Sequence, residues 1–176
     1  QRGAIASCSL ARPSEVHVRF AEGPSGYYCG SQLELPAVVS ALTVAAENAG
    51  WGDGCPVVVV LEALGKWRAR FEGVDSTESA TRAHQAWRAA VEVLGWDLFE
   101  RQTQWLDRQA GLERTTKGGR NRKAEVALFI SHLATEGIVD LSLDELIPPG
   151  RRTLCDGAAD AILFMLAGCR VLGGVD

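Results

Sequence analysis

The sequence predicts an α/β domain, and three observations carry that expectation. Pro56-Val-Val-Val-Val-Leu-Glu62 is a run of β-branched and apolar residues, suited to a strand covered on both faces. Ser76–Leu94 has the length of a helix, with Ser76 or Thr77 as its cap and Gly95 beyond its end. Strand-like and helix-like segments alternate along the chain, the pattern of α/β architecture.

The elements follow in order. Gly3–Leu10, of small and apolar residues, reads as a short strand. Glu15–Phe20 alternates Val16, Val18 and Phe20 with polar residues, the period of a half-buried strand. Gly23–Gly30 is a Gly/Pro/Ser turn region. Leu35–Ala49 has helical spacing and accepts Pro36 in its first turn. Gly50–Pro56 breaks the chain before the valine strand. After the Ser76–Leu94 helix come a short strand at Leu98–Gln102 and a short helix at Thr103–Ala110. Arg120–Thr135 reads as a helix entered from a basic, glycine-containing loop, and Leu143–Ile147 fits no element clearly. Gly157–Gly168 is an apolar helix. Arg170-Val-Leu-Gly-Gly-Val-Asp176 reads as a final strand, reached through a short connection at Gly168–Cys169.

The chain has 176 residues with no internal repeat or low-complexity linker, so residues 1–176 are taken as one domain. It opens on Gln1 rather than methionine, as expected of a trimmed or processed chain. Hydrophobic residues make up 47%, which excludes a disordered chain. No apolar run approaches the ~20 residues of a membrane span, so no membrane partner is expected. Cys8, Cys29, Cys55, Cys155 and Cys169 are scattered without a CxxC pair. That odd set argues against a zinc knuckle or a disulfide framework, and for free thiols in a reducing compartment. Net charge is −4, awkward for a nucleic-acid enzyme, whose affinity rests on neutralised phosphates. Where the charges lie matters more than their sum. Basic residues concentrate at Lys66–Arg70, Arg114–Lys123 and Arg151–Arg152.

Two groups of acids carry the chemistry. Glu62 ends the valine strand, where open α/β sheets place their sites, although a strand-ending Glu is also common as a solvated residue. Asp156 and Asp160 stand four apart at the start of the apolar helix, on one face and near the favourable N-terminus. One reading makes Asp156 a cap and Asp160 an exposed second-turn acid. The other makes them metal ligands. Two carboxylates ~4 Å apart repel by roughly 4 kcal/mol at an effective dielectric of 20, and a divalent cation between them reverses the sign.

The segment Asp156-Gly-Ala-Ala-Asp-Ala-Ile-Leu163 resembles the final helix of RuvC-like Holliday junction resolvases, in the RNase H-like superfamily. Its i, i+4 acids with an intervening glycine resemble the phage and plastid branches. Other segments are similar in the same order. Val58–Glu62 resembles the strand ending in the family's second catalytic acid. Ala83–Gly95, with Trp87, resembles the helix after it. Gln104-Trp105, Gly111-Leu112, a basic loop and Ala124–Phe129 resemble the family's next stretch, except that Ile130 stands where the family usually has proline. The likeness spans roughly residues 56–168. The family opens with a strand such as Arg-Val-Leu-Gly-Ile-Asp. Here Gln1–Ser7 resembles the family's second strand, and Arg170–Asp176 resembles the missing first one, which suggests a circular permutation.

The resemblance implies an RNase H-like mixed central sheet flanked by helices. It implies four converging carboxylates, Asp176, Glu62, Asp156 and Asp160, holding two Mg²⁺ or Mn²⁺ ions, with Asp176 bridging both. In such nucleases the ions lie ~3.5–4 Å apart, one activating a water and the other stabilising the leaving oxygen. Lys66, Arg68 and Arg70, interleaved with Trp67 and Phe71, are candidates for DNA contact, with core packing of Trp67 as the alternative. Lys117, Arg120, Arg122 and Lys123 are phosphate-binding candidates, or simply a solvated helix start. His84 and His132 are expected to be structural, and His17 to have no role. The implied function is resolution of four-way DNA junctions by a homodimer, matching the junction's two-fold symmetry. The location would be the cytoplasm or nucleoid in a prokaryote or phage, or an organelle in a eukaryote. Two other readings stand beside it: a related nuclease acting on RNA, hybrids or other branched DNA, and a catalytically silent junction-binding domain.

Overall fold

A computed structural model of the chain describes residues 4–20, 28–29, 32–52, 55–64, 74–112, 122–147 and 156–173. Those residues form a mixed α/β structure whose described strands pair two by two, antiparallel or parallel, rather than in the one mixed central sheet expected.

Strand β1 (Ala4–Ser9) turns back into β2 (Arg12–Phe20), antiparallel, from Ala4 opposite Phe20 to Ser9 opposite Arg12. The register shifts between Ser7 and Ser9. β2 starts three residues before the alternating pattern does. Arg12, Pro13 and Ser14 carry no apolar signal of their own, and the hairpin extends them. Tyr28–Cys29 (β3) pairs with Gln32–Leu33 (β4), so the end of the expected turn region holds a small ladder. Helix α1 (Leu35–Asn48) carries Pro36 in its first turn, where a missing N–H costs nothing.

Strand β5 (Val58–Glu62) leads through helix α2 (Val74–Leu94) to β6 (Asp97–Arg101). The two strands pair in parallel, Val58 with Asp97 through Glu62 with Arg101. A parallel pair needs such a crossover, and the 21-residue helix supplies it. Helix α3 (Thr103–Gln109) follows directly and ends at Gly111, whose φ of +84° suits glycine. Helix α4 (Arg122–Thr135) and a 3₁₀ turn at Leu143–Leu146 precede the last helix, α5 (Asp156–Gly173).

The strand residues sort by alternation, as the pleat requires. Ala4, Ala6 and Cys8 of β1 and Val60 of β5 pack into the larger core, with Leu106, Val126, Ile130, Ile162 and Leu163 from α3, α4 and α5. Ile5 and Val59, the intervening residues, join the second core, with Val38 and Leu42 of α1 and Ala90 and Val91 of α2. The expectation that the valine strand is covered on both faces is met.

Of the C-terminal strand expected at Arg170–Asp176, the described residues Arg170–Gly173 are helical instead. α5 runs on through Gly168 and Cys169, and Arg170–Gly173 are its last residues. The circular permutation inferred from that strand falls with it. Residues 174–176, Asp176 among them, lie outside the described residues. Gly168 looks like a helix breaker in sequence, but its role is close packing. A Cβ there would come within 2.6 Å of Val60 Cγ2, so glycine lets the helix lie against β5. Arg170 then donates from Nη1 to the Gln109 carbonyl oxygen at 3.2 Å, tying the last turn of α5 to the end of α3.

Candidate functional site

Glu62 closes β5, half-buried, and its Oε1 accepts a hydrogen bond from the Thr103 hydroxyl. Thr103 is the first residue of α3, immediately after β6, so the parallel pairing of β5 with β6 brings the two together. Asp160 stands in the second turn of α5. It lies within electrostatic reach of Glu62, while Gly168, further along the helix, rests on Val60, further back on the strand. α5 therefore runs opposite to β5 and presents its N-terminal end where the strand stops. This joins two carboxylates 98 positions apart in sequence.

Between Asp160 and the interior stands Arg122, the first residue of α4. Its Nη1 donates to Asp160 Oδ1 at 2.6 Å. Its Nε and Nη2 donate to Asp107 Oδ2 and Oδ1 at 3.0 and 2.8 Å, a two-pronged pairing that matches the planar guanidinium to the carboxylate. Asp107 is 1% exposed, the one fully buried charged residue among those described. Burial acts to lower the Arg122 pKa, but the hydrogen bond to Asp107 and the charges of Asp160 and Asp107 more than offset it and raise the value. At Asp160 the balance goes the other way. Burial lifts its carboxyl above the ordinary aspartate value, Arg122 pulls it down, and Glu62 and Asp107 push it up again. Asp160 is thus a half-buried carboxylate paired with the Arg122 guanidinium, with the weaker repulsion of Glu62 and Asp107 around it.

Arg101, across from Glu62 in the β5–β6 ladder, sets its guanidinium carbon 4.5 Å from the centre of the Phe99 ring and 5.6 Å from that of Trp105. It adds an exposed positive group beside the strand end.

Of the four expected acids, Glu62 and Asp160 come together. Asp156 opens α5 one turn before Asp160, with its side chain outside the described set, and Asp176 lies outside it altogether. Among the described residues no group of three or more His, Cys, Asp or Glu is gathered to hold a metal. The carboxylate oxygens of Glu62 and Asp160 are hard donors of the kind Mg²⁺ or Mn²⁺ takes, and Asp160 Oδ1 is already engaged by Arg122. Lys66, Arg68, Arg70, Lys117 and Arg120 lie outside the described residues. Lys123 is exposed on the first turn of α4. Arg122, expected to meet phosphate, instead turns inward, its side chain 15% exposed between two carboxylates.

Sequence reading missed Asp107, Thr103 and Arg101. A signal existed for the first two. Thr103, Leu106, Asp107 and Ala110 share one face of α3 by their spacing, so an acid and a hydroxyl stand in its buried stripe. No helix of the described residues is long and apolar enough to cross a membrane. No model of a known protein family matches the chain, and comparison with curated proteins finds no significant match.

Proposed function

We propose that the chain is a metal-dependent endonuclease of the RuvC-like type, with an RNase H-like fold, that cuts four-way DNA junctions. The observation that carries the reading is that Glu62, at the end of β5, lies within electrostatic reach of Asp160, in the second turn of the last helix. Those are two of the positions at which the resembled family keeps its acids.

Glu62, Asp156 and Asp160 would hold the metal; the fourth acid of the family has no assigned counterpart here. Bound Mg²⁺ would supply a water of lowered pKa and charge stabilisation at the phosphate. The chain's own residues do the rest. Thr103 orients Glu62 through its hydroxyl, and Asp107 anchors Arg122. Arg122 holds the Asp160 carboxylate at the strand end, and the charge-assisted bond limits its rotation. Arg101, stacked on Phe99 and Trp105, offers an exposed donor fork to a phosphate beside the acids. β1 is paired along one edge only among the described strands, and the other edge is where the family's opening hairpin would add its first strand. A homodimer would match the two-fold junction, with the Ala83–Gly95 part of α2 as the interface; Val93 there is 66% exposed.

One observation favours a second reading, a silent junction-binding domain. Arg122 already supplies the cation that Asp160 needs, and no full ligand set is assembled among the described residues. The experiment is cleavage of a synthetic four-way junction with Mg²⁺, beside duplex DNA and an RNA–DNA hybrid. Paired symmetric nicks in the junction alone, lost in Asp160→Asn with junction binding kept, support the proposal. Cutting of the hybrid in preference moves the substrate to RNA. Binding without any metal-dependent product assigns the silent role.

A further inference from the structure

The five cysteines read as unrelated free thiols in the sequence, yet two of them meet in the fold. Cys8 Sγ and Cys169 Sγ are 3.3 Å apart, although 161 positions separate them in the chain. Both are half-buried. Their meeting follows from the packing already described. Cys8 continues the Ala4, Ala6 face of β1 toward α5, and Cys169 follows Gly168, where the missing side chain lets the helix settle against β5.

We propose that Cys8 and Cys169 are a modification site, at which a peroxide converts the two thiols into an intramolecular disulfide that fastens α5 to β1. The bond length of a disulfide is about 2.05 Å, so the sulfurs need to close by roughly 1.2 Å, within reach of side-chain adjustment. Geometry brings the two sulfurs together, 3.3 Å apart. The hydrogen bond from Cys8 draws the Cys169 thiol below its ordinary value, against the opposing effect of burial. The same contact, followed by burial, pushes Cys8 up. Either sulfur can donate in that contact, so either thiol can attack and the other resolve; attack by Cys169 is the course its lowered value favours.

The steps balance. The Cys169 thiolate attacks one oxygen of hydrogen peroxide, the O–O bond breaks, and hydroxide leaves, giving a sulfenic acid on Cys169. Cys8 sulfur then attacks the Cys169 sulfur, the S–O bond breaks, and the Cys8 proton leaves with the hydroxyl as water. Two thiols each lose one electron, peroxide gains two, and two waters result once the hydroxide is protonated. Because α5 also bears Asp156 and Asp160, the link fixes the helix that carries two candidate ligands. The site does not depend on the nuclease reading, and its test needs no substrate.

The test uses the purified, pre-reduced full chain at low micromolar concentration, exposed to hydrogen peroxide. Remaining thiols are then blocked, and the chain is digested without reductant. The expected product is a peptide pair joining the Cys8 and Cys169 segments, lighter than the two thiol peptides by two hydrogens and separated again by dithiothreitol. Cys155 shares a tryptic peptide with Cys169, so variants assign the partner. Cys8→Ser and Cys169→Ser each abolish the pair, and Cys155→Ser keeps it. The oxidised parent melts roughly 5–10 °C above the reduced one, and neither serine variant shows that shift. A Cys169 sulfinic acid with Cys8 still open to alkylation would overturn the proposal. So would a pair lost in Cys155→Ser but retained in Cys169→Ser, or no linked peptide at all.

Discussion

Arg122 holds Asp107 with two near-parallel hydrogen bonds, at 2.8 and 3.0 Å, and Asp107 is sealed from solvent at 1% exposure. The pair joins the first residue of α4 to the middle of α3. It leaves the third face of the guanidinium for Asp160.

That arrangement makes Arg122 hard to replace. Arg122→Ala leaves a buried carboxylate without its cation, and the expected loss is about 3–5 kcal/mol of folding free energy. Arg122→Lys, which keeps the charge but not the fork, should fall between parent and alanine variant. Urea unfolding measures both. A cost below about 1 kcal/mol for alanine would mean that the pair is not the anchor described.

The pH dependence of Asp160 has a definite sign. Its carboxyl is raised above the ordinary 3.8, by burial first, against Arg122 and with Glu62 and Asp107 adding to the lift. Between 3.8 and that raised value the folded chain keeps a proton that the unfolded chain has released. The group's contribution to stability therefore declines as pH rises through that window. Asp160→Asn removes the titration while its amide oxygen still accepts from Arg122. The variant should gain on the parent as pH climbs above 3.8, in a series of thermal melts. A gap that stays flat or moves toward the parent would contradict the assignment.

Thr103→Val tests the orientation of Glu62. Valine keeps the shape and removes the hydroxyl that bonds Oε1. If Glu62 is a ligand, metal affinity or metal-dependent cleavage should drop roughly 10–100-fold, as for other groups that orient a ligand. Titration of Mn²⁺ against activity or calorimetric heat supplies the number. Unchanged metal dependence would leave Thr103 a packing residue only.

Gly168→Ala should destabilise even though alanine favours helix by about 1 kcal/mol. The added methyl meets Val60 Cγ2 at 2.6 Å, and overpacking of this kind costs about 1–3 kcal/mol. Val60→Ala in the same chain should restore much of the loss. A double-mutant cycle measures the coupling, and additive effects would show that the two residues do not press on each other.

Much of this was legible in the sequence because the signals were local. The valine run announced β5, and Pro36 and the apolar spacing announced α1 within one residue of its end. Glu62 and Asp160 were legible as site candidates because each interrupts an otherwise apolar element. Arg170–Gly173 misled because Arg-Val-Leu-Gly has equal claim to a strand; in the fold it continues α5, with Arg170 tied to the Gln109 carbonyl. Arg122 read as a solvated phosphate contact because its partners, 15 and 38 positions away, lie on other helices. Asp107 was overlooked although it stands in the apolar stripe of α3, because the cation that explains it, Arg122, lies 15 positions away on another helix. The Cys8–Cys169 meeting had no signal in spacing at all.

The side-by-side placement of Gly168 and Cys169 gives α5 a fulcrum. One residue bears on β5 and the next on β1, so the helix bridges two strand pairs that share no ladder with each other. Asp160 lies eight residues from that bearing point, about 12 Å along the axis at 1.5 Å per residue. A tilt of a few degrees where the helix is seated displaces the carboxylate by several tenths of an ångström. The position of Asp160 is therefore sensitive to packing at the far end of the helix, where Gly168 meets Val60.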